Sequence, residues 1–209
     1  MEKIRAILWD LGGVIVNLDY TSFFRFIQTH SKLQLTEAKF KQILMSNYDA
    51  YHEGTISSNE FYELMNNVLK LNQIRETEFF NAFNSIIQSL NTDTIEIIKK
   101  VKRQDLTSFV LSNVNSAHWN HLLEKDWDWM PLFEDFILSY EIGVTKPDPE
   151  IYKYAIEKAR CKANQILFID DNYVNVKGAK RCEINTIFYK NQSQFQTQLK
   201  EKLGINAEI

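Results

Sequence analysis

Asp10 closes a short apolar run, Ile4 to Trp9, and is followed at once by Leu11-Gly12-Gly13. Three later runs lead to other residues able to do chemistry. Ser108–Leu111 is followed by Ser112-Asn113, Asp135–Leu138 precedes Gly143-Val144-Thr145-Lys146-Pro147, and Ile166–Ile169 runs into Asp170-Asp171-Asn172. Taken singly, most have a structural explanation: an aspartate can cap a turn, Ser-Asn is ordinary turn chemistry, and a lysine can sit solvated on a surface. Asp170-Asp171 is harder to dismiss. Adjacent carboxylates at the end of an apolar run repel unless something positive lies nearby. A hard divalent cation such as Mg²⁺, held by few carboxylates plus waters, is the economical partner. The combination at four separate run ends says more than any member.

The elements that must position these residues are legible in the pattern. Short apolar runs at Ile4–Trp9, Ser108–Leu111, Asp135–Leu138, Ile166–Ile169 and Asn185–Phe188 read as buried strands. Helical spacing separates several of them: Ile95, Ile98 and Val101; Ile151, Ala155 and Ala159 behind the start signal Asp148-Pro149; and Val176 and Ala179 after Asp171. Strands alternating with amphipathic helices imply an α/β fold, with a mostly parallel sheet between helical layers. In such sheets ligands sit beyond the carboxyl ends of the strands, where strand order reverses. The first two runs, however, are separated by about 95 residues, far more than a crossover helix needs. That interval is helical. Phe23, Phe24 and Ile27 begin one segment, Thr36 caps another bearing Phe40, Ile43 and Leu44, and Ser57-x-x-Glu60 is a capping box before Phe61, Leu64, Met65, Val68 and Leu69. Phe79, Phe80, Phe83, Ile86, Ile87 and Leu90 form a further stripe. We expect four helices packed as an inserted bundle over residues 18–88, with 1–17 and 89–209 forming a three-layer Rossmann-like core. The aromatic stripes read as bundle core.

Composition narrows the function classes. The 209 residues carry 24 Lys+Arg against 27 Asp+Glu, a net charge of −3, with 44% apolar and 24% charged residues. That is ordinary for a globular chain. The densest basic group is Lys99-Lys100-x-Lys102-Arg103, which argues against nucleic-acid or anionic-membrane partners. No apolar run approaches the ~18 residues of a membrane span, and Asp10 interrupts the N-terminal run too early for a signal peptide. Two cysteines, Cys161 and Cys182, read as reduced thiols, so a cytoplasmic location is expected. Glycine and proline are scarce, at 6 and 3 residues, and three of those glycines and two prolines fall in the loops after the apolar runs.

Trp9-Asp10-Leu11-Gly12-Gly13-Val14, Ser112-Asn113, Lys146-Pro147 and Asp170-Asp171, in that order, resemble the four motifs of haloacid dehalogenase-like hydrolases. The resemblance spans nearly the whole chain, and the inserted helices resemble that superfamily's bundle-type cap. Asp10-Leu11-Gly12, Gly54-Thr55-Ile56-Ser57, Ser112-Asn113-Val114-Asn115 and Asp170-Asp171-Asn172 are most similar to bacterial α-D-glucose-1-phosphate phosphatases. The resemblance implies a Mg²⁺-dependent phosphatase of small phosphorylated metabolites, such as sugar phosphates. Asp10 would be its nucleophile, forming an aspartyl-phosphate. Asp10, the Gly12 carbonyl and Asp171 would be metal ligands, with Asp170 supporting or sharing the site. Ser112 and the Asn113 backbone would hold phosphoryl oxygens, and Lys146 would offset charge on Asp10 and the phosphate.

One position departs from the pattern. Most phosphatases of the superfamily carry a second Asp two residues after the nucleophile, to protonate the leaving oxygen, and this chain has Gly12 there. Proton transfer of that kind is typically worth about 10²–10⁴-fold. The replacement leaves open a weak enzyme, one restricted to leaving groups that need little protonation, or one that recruits water or a cap residue. Tyr51, His52 and Glu53 are candidates for that last role. A degenerate phospho-ligand-binding member is the alternative; a 2-haloacid dehalogenase, which needs no metal, fits the acid pair less well.

Overall fold

The computed structural model describes residues 2–104 and 106–204. The chain opens with β1 (Ala6–Trp9) and β2 (Val16–Leu18), then runs through α1 (Thr21–His30), α2 (Glu37–Met45), α3 (Asp49–His52), α4 (Ser58–Val68) and α5 (Glu76–Asn84) to β3 (Ile87–Leu90). There follow α6 (Thr92–Lys102), β4 (Thr107–Ser112), α7 (Ser116–Leu123), β5 (Asp135–Leu138), α8 (Ser139–Ile142) and α9 (Pro149–Ala159). The chain then forms β6 (Ile166–Asp170), α10 (Tyr173–Arg181), β7 (Asn185–Phe188) and α11 (Gln192–Leu203).

The five core strands are parallel, in the order β5-β4-β1-β6-β7. The chain builds outward from β1 on one side through β4 and β5, then on the other through β6 and β7. Strand order therefore reverses around β1, and the carboxyl ends of β1, β4 and β6 lie side by side. Period-two alternation divides the sheet's side chains between two cores. Ile7, Trp9, Val110, Leu167 and Ile169 pack with α6, α7 and α11 on one face. Ala6, Leu8, Phe109, Leu111, Ile166 and Phe168 pack with α9 and α10 on the other. Burial on both faces is why these strands read as continuous apolar runs. The Trp119–Trp129 stretch belongs to the first of these cores, where Trp119, Trp129, Phe133 and Phe136 meet mostly edge to face.

The expected helical interval forms, with its expected caps. Thr36 accepts from the Lys39 amide, and Ser57 and Glu60 close a reciprocal capping box. Phe23, Phe40, Phe61, Phe79 and Phe83 are fully buried in a third cluster of these helices' own. Two expectations need correction. There are five helices rather than four, the extra one being the short α3. The stripe through Leu90 is not one helix: α5 stops at Asn84, and Ile87–Leu90 pairs antiparallel with Val16–Leu18. The β-branched pair Ile86-Ile87 and an available partner edge win over helical spacing there. The boundaries drawn at 18 and 88 thus fall within this two-stranded ribbon, across which Ile86 joins the helical cluster and Ile87 the sheet's core. Among the described residues, no helix is long and apolar enough to cross a membrane.

The helices are fastened to the core through the turn after α3. The Ser139 hydroxyl donates to the His52 carbonyl at 2.6 Å and accepts from the Val114 amide at 3.1 Å. Thr145 donates to the Glu53 carboxylate at 3.4 Å. Gly54 has φ +65, and a Cβ there would stand 2.2 Å from the Tyr140 carbonyl oxygen. Only glycine satisfies both conditions. Gly54→Ala is therefore expected to cost about 1–3 kcal/mol, from left-handed backbone strain and lost docking. Urea unfolding of the two proteins, with the midpoint falling in the variant, checks this.

Candidate active site

Each sequence-selected residue arrives at the carboxyl edge of the sheet for a local reason. Asp10 follows β1 directly, its amide bonded to the Ile169 carbonyl of the neighbouring strand. Ser112 ends β4, and Asp170 ends β6. Lys146 comes from the loop between α8 and α9, and the Asn113 side chain clamps it in place. Asn113 Nδ2 donates to the Lys146 carbonyl at 2.9 Å, and the Lys146 amide donates to Asn113 Oδ1 at 2.8 Å. The Asn113 side chain is thus engaged on the Lys146 backbone.

Lys146 is the hub. Its ammonium, almost fully buried, donates to Asp10 Oδ1 at 2.8 Å, Asp170 Oδ2 at 2.7 Å and the Leu111 carbonyl at 2.9 Å. Its three protons are thereby satisfied. Burial alone would pull its pKa down, but the Asp10 and Asp170 charges and hydrogen bonds outweigh it and hold the pKa above that of an ordinary lysine. Asp10 is raised, first by burial and then by repulsion from Asp170, against the pull of Lys146. Asp171 is raised as well, by partial desolvation and the Asp170 charge. One ammonium does not neutralise three carboxylates.

The three acids offer oxygens that lie within 4.8 Å of one another. They differ in availability. Asp170 Oδ1 accepts from the Asn172 amide at 2.7 Å and from Asn175 Nδ2 at 3.2 Å, while Oδ2 takes Lys146 and a second contact from Asn175 at 3.1 Å. It is saturated, as a supporting group would be. Asp171 is exposed, and its carboxylate rests against the backbone of Gly13. With φ +77 and a Cβ that would fall 2.1 Å from Asp171 Oδ2, Gly13 cannot be replaced without moving that acid. The unneutralised charge and the clustered oxygens fit a small divalent cation.

Asn175 escaped the sequence reading. It lies on the buried face of α10 beside Val176 and Ala179. The available signal was a polar residue at that spacing, one turn after Asp170-Asp171. Ser139, the first residue of α8, was missed too, since nothing marks a lone serine after an apolar run. The three cap candidates separate cleanly. Tyr51 is a structural side chain, stacked on Phe61 at 4.4 Å and bonded to Ser58. Glu53 reaches only Thr145. His52 lines a cavity of about 80 Å³ together with Gly12, Ser112, Asn113, Tyr20 and Tyr48. Burial, and then the Lys146 charge, push its imidazole down to about 4, so it is neutral near pH 7. Position 12 itself is covered: a Cβ there would meet Leu18 Cδ1 at 2.9 Å. A wider hollow of about 660 Å³ opens between Thr107, Glu134, Asp135 and Lys158 at the amino ends of β4 and β5, away from these acids.

Residues 4–183 match the haloacid dehalogenase-like hydrolase family model. The chain belongs to this family. Among individual relatives, this hydrolase is 26% identical over 210 residues to D-ribitol-5-phosphate phosphatase of Bacteroides thetaiotaomicron, covering 94% of this chain and 97% of that protein. It is 25% identical to drimenol cyclase drtB of Aspergillus calidoustus over 98% of its own length but spans only 38% of that larger protein. A crystal structure of a haloacid dehalogenase family enzyme from B. thetaiotaomicron superposes with TM-score 0.81 at 26% identity, covering 95% of this chain and 99% of that one. The same enzyme solved with magnesium and inorganic phosphate gives TM-score 0.75 at 27% identity, over 90% and 94% of the two chains. The superfamily resemblance and the α/β fold class therefore stand. The nearer likeness to glucose-1-phosphate phosphatases is not what these relatives name.

The buried ammonium makes a quantitative expectation. In Lys146→Met, Asp10 and Asp170 lose their shared counter-charge, and stability at pH 7 is expected to fall by about 3–5 kcal/mol. Asp10, its pKa already raised to about 8 by burial, is raised further by the loss and keeps its proton where the wild-type residue gives it up, so the deficit is expected to grow as pH rises from about 7 to about 9. Denaturation midpoints of both proteins across that range check the sign.

Proposed function

We propose that this hydrolase is a Mg²⁺-dependent phosphatase of small phosphomonoesters, sugar phosphates among them, acting through an aspartyl-phosphate on Asp10. The observation that carries the reading is the excess of carboxylate over ammonium at one sheet edge: Asp10, Asp170 and Asp171 around a single buried lysine. A dehalogenase or a purely structural ion pair has no use for the third acid. The relative named as a phosphatase and the structural neighbour holding magnesium and phosphate support the same reading.

Asp10 Oδ1 is held by the Leu11 amide at 2.7 Å and by Lys146, which leaves Oδ2 as the oxygen for attack on phosphorus. Lys146 draws charge from the attacking carboxylate and offsets the phosphate. Ser112, at the end of β4, and the Asn113 amide supply hydrogen bonds to phosphoryl oxygens. Asp10, the Gly12 carbonyl and Asp171 would hold Mg²⁺, which supplies charge neutralisation on the phosphoryl group. Asp170 orients Lys146 and accepts from Asn172 and Asn175. The helices of residues 18–88 act as a cap that closes over this edge, excludes water and selects the alcohol. Gly12 offers no proton, so esters with comparatively acidic leaving groups, anomeric sugar phosphates and aryl phosphates, are expected to turn over fastest. A small phosphorylated metabolite is the partner this chemistry fits.

Phosphate release from p-nitrophenyl phosphate and glucose 1-phosphate is expected with Mg²⁺, and both EDTA and Asp10→Asn should abolish it. Undiminished turnover under either condition would overturn the reading, as would halide release from 2-chloropropionate without metal. The raised pKa values of Asp10 and Asp171 add a pH sign. Protons compete with Mg²⁺ for these oxygens, so its apparent affinity should weaken from pH 8 to pH 6. Titrating Mg²⁺ against thermal stability at several pH values reads this without substrate.

A further inference from the structure

The cavity beside Gly12 and Ser112 contains a feature that stability alone does not explain. Tyr48 lines it, is only 5% exposed, and its hydroxyl is buried with no hydrogen-bond partner among the described residues. An unpaired buried hydroxyl is destabilising, and such groups are rare in folded proteins. Phenylalanine would fill the same space without that cost. The ring is well fixed: it lies 4.5 Å from the His52 imidazole and 5.9 Å from both Phe61 and Phe83, centroid to centroid. Tyr48 thus lines the same cavity as Gly12, Ser112 and Asn113, into which an ester's alcohol portion would project.

We propose that the Tyr48 hydroxyl, flanked by His52, is the specificity-determining group of this site and hydrogen-bonds a hydroxyl on the substrate's alcohol portion. The inference rests on the phosphatase reading above and narrows its substrate class. Leu18, Ile86, Ile87 and Leu122 supply apolar wall beside His118, whose ring nitrogens are already engaged by the Phe83 carbonyl and Asn115, and the volume of about 80 Å³ has room for about three waters. That matches a leaving group carrying a hydroxyl, as in a polyol or sugar phosphate, rather than a fully apolar one. A site built to pair a substrate hydroxyl rejects the analogue lacking it, because its own polar group is then left unpaired.

The matched probes are glycerol 3-phosphate and n-propyl phosphate, which share a chain length and differ in hydroxyls. With Mg²⁺ present, the wild-type protein is expected to favour glycerol 3-phosphate in kcat/KM by about tenfold or more. Tyr48→Phe should bring that ratio close to one, with a melting temperature at or above that of wild type, since the lost hydroxyl had no partner. His52→Leu, which strips the flanking polar ring, should lower the ratio in the same direction. The inference is overturned if wild type shows no preference, if Tyr48→Phe leaves the ratio unchanged, or if that variant loses both substrates equally and melts several degrees lower. p-Nitrophenyl phosphate separates the two levels of failure. Mg²⁺-dependent turnover of this ester, abolished by Asp10→Asn, leaves the phosphatase reading standing when the ratio fails. No turnover of any of the three esters removes both.

Discussion

A single buried ammonium holds this sheet edge together. Lys146 reaches Asp10 after β1, Leu111 in β4 and Asp170 at the end of β6, three strands whose sequence separation is large. Without it, two carboxylates would be buried side by side, a cost of several kcal/mol. With it, Asp10 is fixed in position and kept from forming a simple one-to-one ion pair. The remaining acid, Asp171, stays on the outside with its charge uncompensated. Structure and the proposed chemistry thus draw on the same residue: the lysine that makes the edge foldable is also the one that, in the proposed reaction, would draw charge from the carboxylate beside it.

The fold serves that arrangement by pointing three strand ends at one place and covering them. Reversal of strand order around β1 puts the acids and Ser112 side by side, and burial on both sheet faces keeps the strands from shifting. The helical segment is seated by short contacts rather than by a broad shared core, since its phenylalanines form a cluster of their own. His118 is one such contact. Stacked on Phe83 at 4.1 Å, it donates from Nε2 to the Phe83 carbonyl at 3.2 Å, and burial pushes its pKa down to about 3. It stays neutral and acts as a fixed peg. Gly54 against Tyr140, Ser139 against His52, Thr145 against Glu53 and the Ala117 amide on the Tyr51 hydroxyl are others. Directional contacts of this kind are compatible with the cap role proposed above for these helices.

Much of the core was legible because its strands are buried on both faces. Such strands show as apolar runs, and three of them, β1, β4 and β6, end at a residue of the site. Helix starts were legible too, at Thr36, Ser57 and Asp148, because capping is local chemistry. The ribbon of Val16–Leu18 with Ile87–Leu90 was not. A three-residue strand has no periodicity to detect, and its partner lies far along the chain. The Phe79–Leu90 stripe reads as helix for the same reason: spacing reports which side chains are buried, not what the backbone pairs with.

The sequence by itself determined the inventory of the site: an aspartate, a serine, a lysine and two acids at the ends of buried runs, and a glycine where a proton donor was expected. Residue type and local pattern suffice for that, since they set charge, capping and burial. Only the tertiary structure decided how the inventory divides. It made Asp170 a saturated support and left Asp171 exposed, and turned the Asn113 side chain onto Lys146. It brought in Asn175 and Ser139, laid Leu18 over position 12, and sorted His52 from Tyr51 and Glu53. Those outcomes depend on which atoms lie within about 3 Å across gaps of 24 to 136 residues. No local propensity carries that information.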